Sequence, residues 1–394
     1  MDEHAQLRAW WWHTQGLDHS LAGHEPATIF ARTGWARSVG GDCPYLTLFT
    51  RGAHDRASVD RAVEVMDIQE LPSARGCTYV VGANDYALAL TLARPFKEAE
   101  TRKARQLGVT EAEQRRLSRA VLDALANAPL DPATLRESLG DRVRSLGEEG
   151  KRKGLTTTLP LVLGDLQVRG EIRRISTTGR LDNQRYRYAR WERNPCAGYD
   201  ATLGQAHTRL AVQFFDWIGP ATVGEFRWFS GLGARAARIA LEAIDLAPLP
   251  TDPTRLLHSR QLAAFATYQV PEEPDVSLVS GLDALFLLRR DAGNCIDPAD
   301  KAHPLLVPAS PSLSDLPYHA IVDRGRIIGL WEFDVATQSI VWITFDPPAP
   351  ETLAAIARTE AFVRDELQDA RAFSLDSPKR RAPRIARLSA YARP

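Results

Sequence analysis

The chain has 394 residues, 44% hydrophobic and 25% charged, with 49 Lys and Arg set against 49 Asp and Glu for a formal net charge of zero. Such a composition excludes a chain disordered throughout and provides for about two to four domains with cores of their own. Averaged over its length, the charge balance argues against a DNA-binding protein, so what matters is how the charge is distributed. No apolar run approaches the ~20 residues that cross a bilayer, and the greasiest, Leu282–Leu288, stops at Arg289 and Arg290. The acidic start Met1-Asp-Glu-His lacks the cationic region of a signal peptide, and the reading is a cytoplasmic protein without a membrane partner. Cys43, Cys77, Cys196 and Cys295 stand far apart with no CxxC pair, and His4, His13, His19 and His24 show no HxxxH or HExxH spacing. No disulfide framework, metal site or cofactor fingerprint is expected.

In chain order, amphipathic patterns predict helices around Leu7–His13, Pro26–Thr33, Pro44–Arg51 and Ala57–Val65, too short to be stable unless packed together. Two β-prone runs follow, Ile68–Pro72 and Cys77–Gly82, separated by Ser73-Ala-Arg-Gly. Helices followed by a hairpin is the order of a winged helix, and equally of other small α+β modules. Residues 97–110, rich in Lys, Arg and Glu, fit a solvated helix or a linker. Thr110 with Glu113 reads as a capped helix start ahead of Leu117, Val121, Leu122 and Leu125; Asp131 and Pro132 open a short helix over Ala133–Leu139; Thr156–Leu163 supplies a third. Leu166–Ile175 and Arg185–Trp191 alternate with period two around Thr178-Gly-Arg, giving three helices and then a hairpin. His207–Trp217, the turn and helix after Gly219, and Ala234–Ile244 repeat the pattern a third time. Beyond Pro248 the pieces turn strand-like, at Leu262–Val270, Val276–Leu282, Ala320–Val322, Ile327–Phe333 and Ser339–Phe345, as in a meander or small barrel. Residues 351–370 predict a terminal helix, and 371–394 a tail with seven basic residues against one acidic.

The neutral total conceals a local excess. Between Val168 and Arg193 stand eight arginines and three acids, interleaved with Tyr186, Tyr188 and Trp191, and Lys151-Arg-Lys lies just upstream. Guanidinium forks match phosphate oxygens, and a wing can follow the DNA backbone or enter the minor groove. Beside the bland alternative of a solvated, ion-paired sheet face, duplex DNA is the expected partner, with Lys151, Arg152, Lys153, Arg169, Arg173, Arg174, Arg185 and Arg187 as the binding residues.

Several segments in order resemble the AlkZ-like DNA glycosylases: Gln15-Gly-Leu, Pro26-Ala-Thr-Ile-Phe-Ala-Arg, Arg75-Gly-Cys-Thr-Tyr-Val-Val, Ile218-Gly-Pro-Ala-Thr-Val-Gly-Glu-Phe-Arg-Trp-Phe-Ser-Gly-Leu, Leu278-Val-Ser-Gly-Leu-Asp and Val322-Asp-Arg-Gly-Arg-Ile-Ile-Gly. The resemblance implies an α+β chain of three tandem winged-helix (helix-turn-helix plus wing) domains followed by a small β-barrel-like C-terminal domain. The expected boundaries are 1–96, 97–197 with the Arg-rich wing, 198–270, 271–370 and a basic tail at 371–394. It also implies binding to duplex or damaged DNA; the chain is expected to act as a monomer. The leading reading is a winged-helix DNA-binding protein related to such repair glycosylases; the alternatives are an active monofunctional glycosylase that hydrolyses N-glycosidic bonds at alkylated bases with diverged catalytic residues, and a transcription regulator.

In that family a Gln-x-Gln or Gln-x-Asp element after the second helix positions the hydrolytic water, and here those positions fall on Arg37 and Val39. A cation there would oppose a developing oxocarbenium charge. Arg37, Ser38 and Asp42 are the candidate substitutes, although Asp42 reads first as the cap of the helix near Pro44. Arg37 and Ser38 could instead hold a phosphate, with Gly40-Gly41 admitting the DNA backbone or simply forming a turn. Of Trp10, Trp11, Trp12 and Trp35, one is expected in the core and one exposed for base stacking. Asp283, Asp297 and Asp300 near His303 read as turn caps and rim residues.

Overall fold

The computed structural model describes residues 2–307 and 313–392, so that Arg393 and Pro394 of the tail lie outside the described residues. Asp2 caps the first helix, Glu3–Thr14, by accepting from the His4 N–H. Trp10, Trp11 and Trp12 on this helix are all buried, as is Trp35, and no member of the four is free to stack on a base. The expectation of one exposed tryptophan fails because the helix is enclosed on several sides: the Trp10 and Trp11 indoles donate to the carbonyls of Gly219 and Pro220 at 3.0 and 3.1 Å.

Three stretches repeat one topology. In the first, helix Pro26–Thr33 leads to β1 (Ala36–Arg37), helices Cys43–Gly52 and Arg56–Glu64, then the hairpin β2 (Ile68–Pro72) and β3 (Thr78–Gly82), with sheet order β1-β3-β2. In the second, helices Glu111–Ala124, Pro132–Leu139 and Thr158–Val168 precede the hairpin β4 (Ile172–Ser176) and β5 (Tyr186–Arg190). Its opening strand is reduced to one bridge, Leu130 with Tyr188. In the third, helix Leu203–Ile218 leads to β6 (Ala221–Thr222), helices Val223–Ser230 and Ala234–Glu242, then β7 (Leu246–Pro248) and β8 (Arg255–His258), ordered β6-β8-β7. In each case the strand after the first helix pairs with the last strand. Local chemistry sets the starts: Thr110 accepts from Glu113 N–H, Asp131 from Ala133 and Thr134, and Thr202/Gln205 and Thr222/Glu225 form capping boxes.

Of the two readings of the charged 97–110 stretch, helix holds for residues 97–106, which are the second half of one helix, Tyr86–Gln106, continuous through residue 96. Three expectations are corrected. Leu166–Val168, read as strand, ends the Thr158–Val168 helix. Leu262–Val270 is not a strand; Leu262–Thr267 is helical, consistent with its Leu-Ala-Ala-Phe-Ala composition of helix-forming residues. The C-terminal strands β9 (Val276–Val279), β10 (His319–Asp323), β11 (Arg326–Asp334) and β12 (Ser339–Thr344) form an open antiparallel sheet ordered β12-β11-β10-β9, and among the described residues no closed barrel is present. Helix Pro350–Phe362 packs on both edge strands, β9 and β12, instead of their pairing with each other.

The basic tail is likewise not a free arm. Ser377 caps a helix over Pro378–Ser389 that packs on β11 and β12, where buried Arg381 pairs with Asp369 and donates to Ala370 O at 2.8 Å. Arg384 joins Glu332 and Asp376.

One buried cation ties these parts together. Arg51, at the end of helix Cys43–Gly52, forks onto Asp283 at 2.7 and 2.9 Å and donates to Gln15 O at 2.7 Å. Gln15 in turn donates to Thr33 O and Trp217 O, both at 2.7 Å. Asp283 is therefore more than a turn cap, although it also caps helix Ala284–Leu287. Removing it strands a desolvated guanidinium: Asp283→Ala is expected to cost about 3–5 kcal/mol in denaturant unfolding of the intact chain, and less when combined with Arg51→Met.

Candidate nucleic-acid interface

The β4–β5 register places Arg173 opposite Ala189, Arg174 opposite Tyr188 and Ile175 opposite Arg187, so consecutive arginines leave on opposite faces. Arg173 lies over Trp191 (5.5 Å to the ring centre) and Arg174 over Tyr186 (4.4 Å), each only part-exposed. Arg185, Arg187 and Arg190 are exposed. Arg169 is exposed too but held by Asp165 at 3.4 Å and Glu171 at 2.8 Å, and Arg180 pairs with Asp182. Lys151 and Lys153 pair with Glu148 and Glu149 at 2.6 and 2.9 Å on the exposed end of helix Gly147–Arg152, with Arg152 beside them. The free positive charge on the hairpin is thus narrower than the arginine count implies.

Of Arg37, Ser38 and Asp42, the first two stand near Glu70, Ser38 by a hydrogen bond and Arg37 only through its charge, while Asp42 lies elsewhere. Arg37 stacks over Tyr79 at 5.4 Å and donates to Thr78 O at 3.1 Å. Ser38, the residue after β1, is buried and donates its hydroxyl to Glu70 Oε2 at 2.7 Å. Asp42 precedes helix Cys43–Gly52 but its side chain makes no cap bond. It reaches instead into the interior, where Oδ1 accepts from Ser280 at 2.9 Å and Oδ2 lies 3.5 Å from His319 Nε2. Burial raises the Asp42 carboxyl well above the usual range, and burial, with Arg384 and Arg381 nearby, pushes His319 down to about 3. His319 Nδ1 accepts from Gly281 N–H at 3.1 Å, which leaves its proton on Nε2, toward Asp42.

Gly41 admits a close backbone, but it is the chain's own, while Gly40 faces the side chains of Gln184 and Ser374. A Cβ on Gly41 would collide with the Ala372 carbonyl, while Asp42 N–H and Val39 O bond to Arg371 and Ser374 at 2.9 Å.

The residue that sequence reasoning passed over is Glu70, whose only signal was an acid inside the apolar run Ile68–Pro72. It lines a cavity of about 670 Å³ enclosed by helix Arg56–Glu64, β2 and the β4–β5 hairpin, with Gln69, Arg173, Arg174 and Tyr186 on its walls. One carboxylate oxygen takes the Ser38 hydrogen bond and the other stands 3.8 Å from Arg174 Nη1, beyond hydrogen-bond length. Burial raises the Glu70 carboxyl despite Ser38, Arg174 and Arg37, so desolvation outweighs the cations around it. A larger open groove of about 1160 Å³ runs between helices Tyr86–Gln106, Glu111–Ala124 and Thr158–Val168, where Arg102, Arg105, Arg115 and Arg119 mix with Glu98 and Glu111. Among the described residues no group of three or more His, Cys, Asp or Glu could hold a metal ion, and no helix is long and apolar enough to cross a membrane.

A family model described as DNA glycosylase AlkZ-like matches residues 40–373. The chain belongs to the AlkZ-like DNA glycosylase family. Its membership supports a role in DNA binding and DNA repair. Among curated proteins none matches. Five chains of solved structures do, among them the Streptomyces sahachiroi DNA glycosylase AlkZ, at a TM-score of 0.67 and 18% identity over 94% of this chain and 98% of that one. At that identity the likeness is one of fold. The family match opens at residue 40, immediately after the Arg37–Val39 stretch.

The buried His319 makes a pH signature. Its folded pKa lies below the unfolded value of about 6.5, so its contribution to stability is complete above that pH and is lost as pH falls toward 3. Comparing His319→Gln with the parent chain by urea unfolding, the parent's advantage is expected to shrink on acidification below pH 6.5, with a slope of at most ~1.4 kcal/mol per pH unit.

Proposed function

We propose that this protein binds duplex DNA through three tandem winged helices and hydrolyses the N-glycosidic bond of an alkylated base extruded into the cavity between helix Arg56–Glu64 and the β4–β5 hairpin. The winged-helix reading is supported by the thrice-repeated order of helix, strand, helix, helix and hairpin, with the first strand paired to the last. In this reading helix Arg56–Glu64 takes the recognition position of the first unit, and β4–β5 is the wing of the second.

The observation that carries the proposal is the cavity itself. At about 670 Å³ it lies within the roughly 300–1,000 Å³ range of small-ligand sites, and its walls combine a carboxylate, arginines and a tyrosine. An extruded base would enter it while the exposed Arg185 and Arg187 hold flanking phosphates. A cationic N-alkylpurine needs little leaving-group assistance, because breaking the bond neutralises its ring, so positioned water and electrostatic stabilisation suffice.

Incubated with duplex carrying one N7-methylguanine, the protein is expected to release the free base. Arg185→Ala with Arg187→Ala should weaken binding of that duplex and lower the slope of log K against log salt by about one to two. Tight binding with no base release would leave a DNA-binding protein without the glycosylase step. An unchanged salt slope would remove the hairpin from the interface.

A further inference from the structure

We propose that Glu70 is the catalytic carboxylate that holds and deprotonates the hydrolytic water, with Ser38 as its positioning residue; the proposal rests on the glycosylase reading above. The geometry is that of a half-anchored carboxylate. Oε2 is fixed by the 2.7 Å bond from Ser38, while among the described residues Oε1 accepts no hydrogen bond and faces Arg174 only across 3.8 Å. The side chain keeps 18% of its surface exposed, and it lines the cavity. Its backbone is held in the middle strand pairing of β2 with β3, Glu70 opposite Val80, so the carboxylate is carried on a rigid element.

A purely structural ion pair would account for Glu70 less well. Such a pair would close to hydrogen-bond distance and hold the carboxyl below its ordinary range, whereas desolvation raises it. Raising the pKa of a carboxyl makes its carboxylate the stronger base. The charged groups sharing its surroundings are Arg37 from β1, Arg173 and Arg174 from β4, Arg180 from the β4–β5 turn, and Arg56, Asp60, Arg61 and Glu64 from helix Arg56–Glu64.

In the step itself the water oxygen attacks C1′ as the bond from C1′ to the base nitrogen breaks. The bonding pair leaves with the base and neutralises its positive ring. Glu70 Oε1 takes the water proton, leaving a hydroxyl on C1′ of an abasic sugar, and later returns that proton to solvent. Before transfer, the negative carboxylate also stabilises the positive charge that develops on the sugar.

The test is single-turnover release from a duplex carrying N7-methylguanine. Glu70→Gln is expected to slow release by about 100-fold or more, with the Kd for the same duplex changed less than threefold. Ser38→Ala should move the acid limb of the release-rate profile to higher pH, because the lost hydrogen bond favours the ionised carboxylate. A merely structural serine would lower the rate at every pH and leave the limb in place, which would refute its positioning role. Full release by Glu70→Gln would overturn the assignment while leaving the glycosylase reading intact. Absence of release by the unmodified chain would bring down that reading and the assignment with it.

Discussion

A single buried guanidinium sets the arrangement on which everything else depends. Arg51 is fully enclosed, and a charge in that position is tolerated only when its donors are met, here by both oxygens of Asp283 and by two acceptors on Gln15. Those partners come from segments more than two hundred residues apart, and Gln15 extends the network to Thr33 and Trp217. The first helix, the first repeated unit, the third unit and the C-terminal region therefore meet at one point. The opposite end of helix Cys43–Gly52 is fixed as well, by Asp42 against Ser280 and by the 371–374 strand of chain lying over Gly40 and Gly41. The segment that carries Ser38, and with it the hydrogen bond to Glu70, lies in the chain between Thr33 and Asp42, which belong to these two fixtures.

The same use of arginine explains the charge distribution. Arg51, Arg289 and Arg381 are buried, and Arg289 lies 3.5 Å over the Trp11 ring while donating to Leu285 O at 2.7 Å. Part of the chain's basic character is therefore internal structure, including Arg381 and the half-buried Arg384 of the C-terminal helix, while Lys379, Arg380 and Arg387 on the same helix stay exposed. Among the exposed basic groups open to an acidic partner are the outward arginines of the β4–β5 hairpin, beside the cavity, and those of the mixed groove along helix Tyr86–Gln106.

Much of the secondary structure was legible because its signals are local. Caps at Thr110 and Asp131, period-two alternation at Arg185–Trp191 and the repeated helix-to-hairpin order all follow from neighbours within a few residues. Failures came where tertiary packing overrides local pattern. Three consecutive tryptophans are buried together because separate parts of the chain close over them, and the C-terminal sheet stays open because a helix from later in the sequence takes its edges. The candidate site was legible only in part. Ser38 was singled out for its position, but its partner Glu70 lies 32 residues on, paired through a strand register that sequence spacing does not reveal. Asp42, near Ser38 in sequence, is drawn to the opposite side by Ser280 and His319.

The most direct test of where DNA sits is hydrogen–deuterium exchange on the intact protein, with and without duplex containing a stable abasic-site analogue. Protection of residues 56–64, 68–72 and 172–190 together is the expected result, since those segments enclose the cavity. Protection confined to helices Tyr86–Gln106 and Glu111–Ala124, with the cavity segments unchanged, would place the DNA in the other groove and contradict the account.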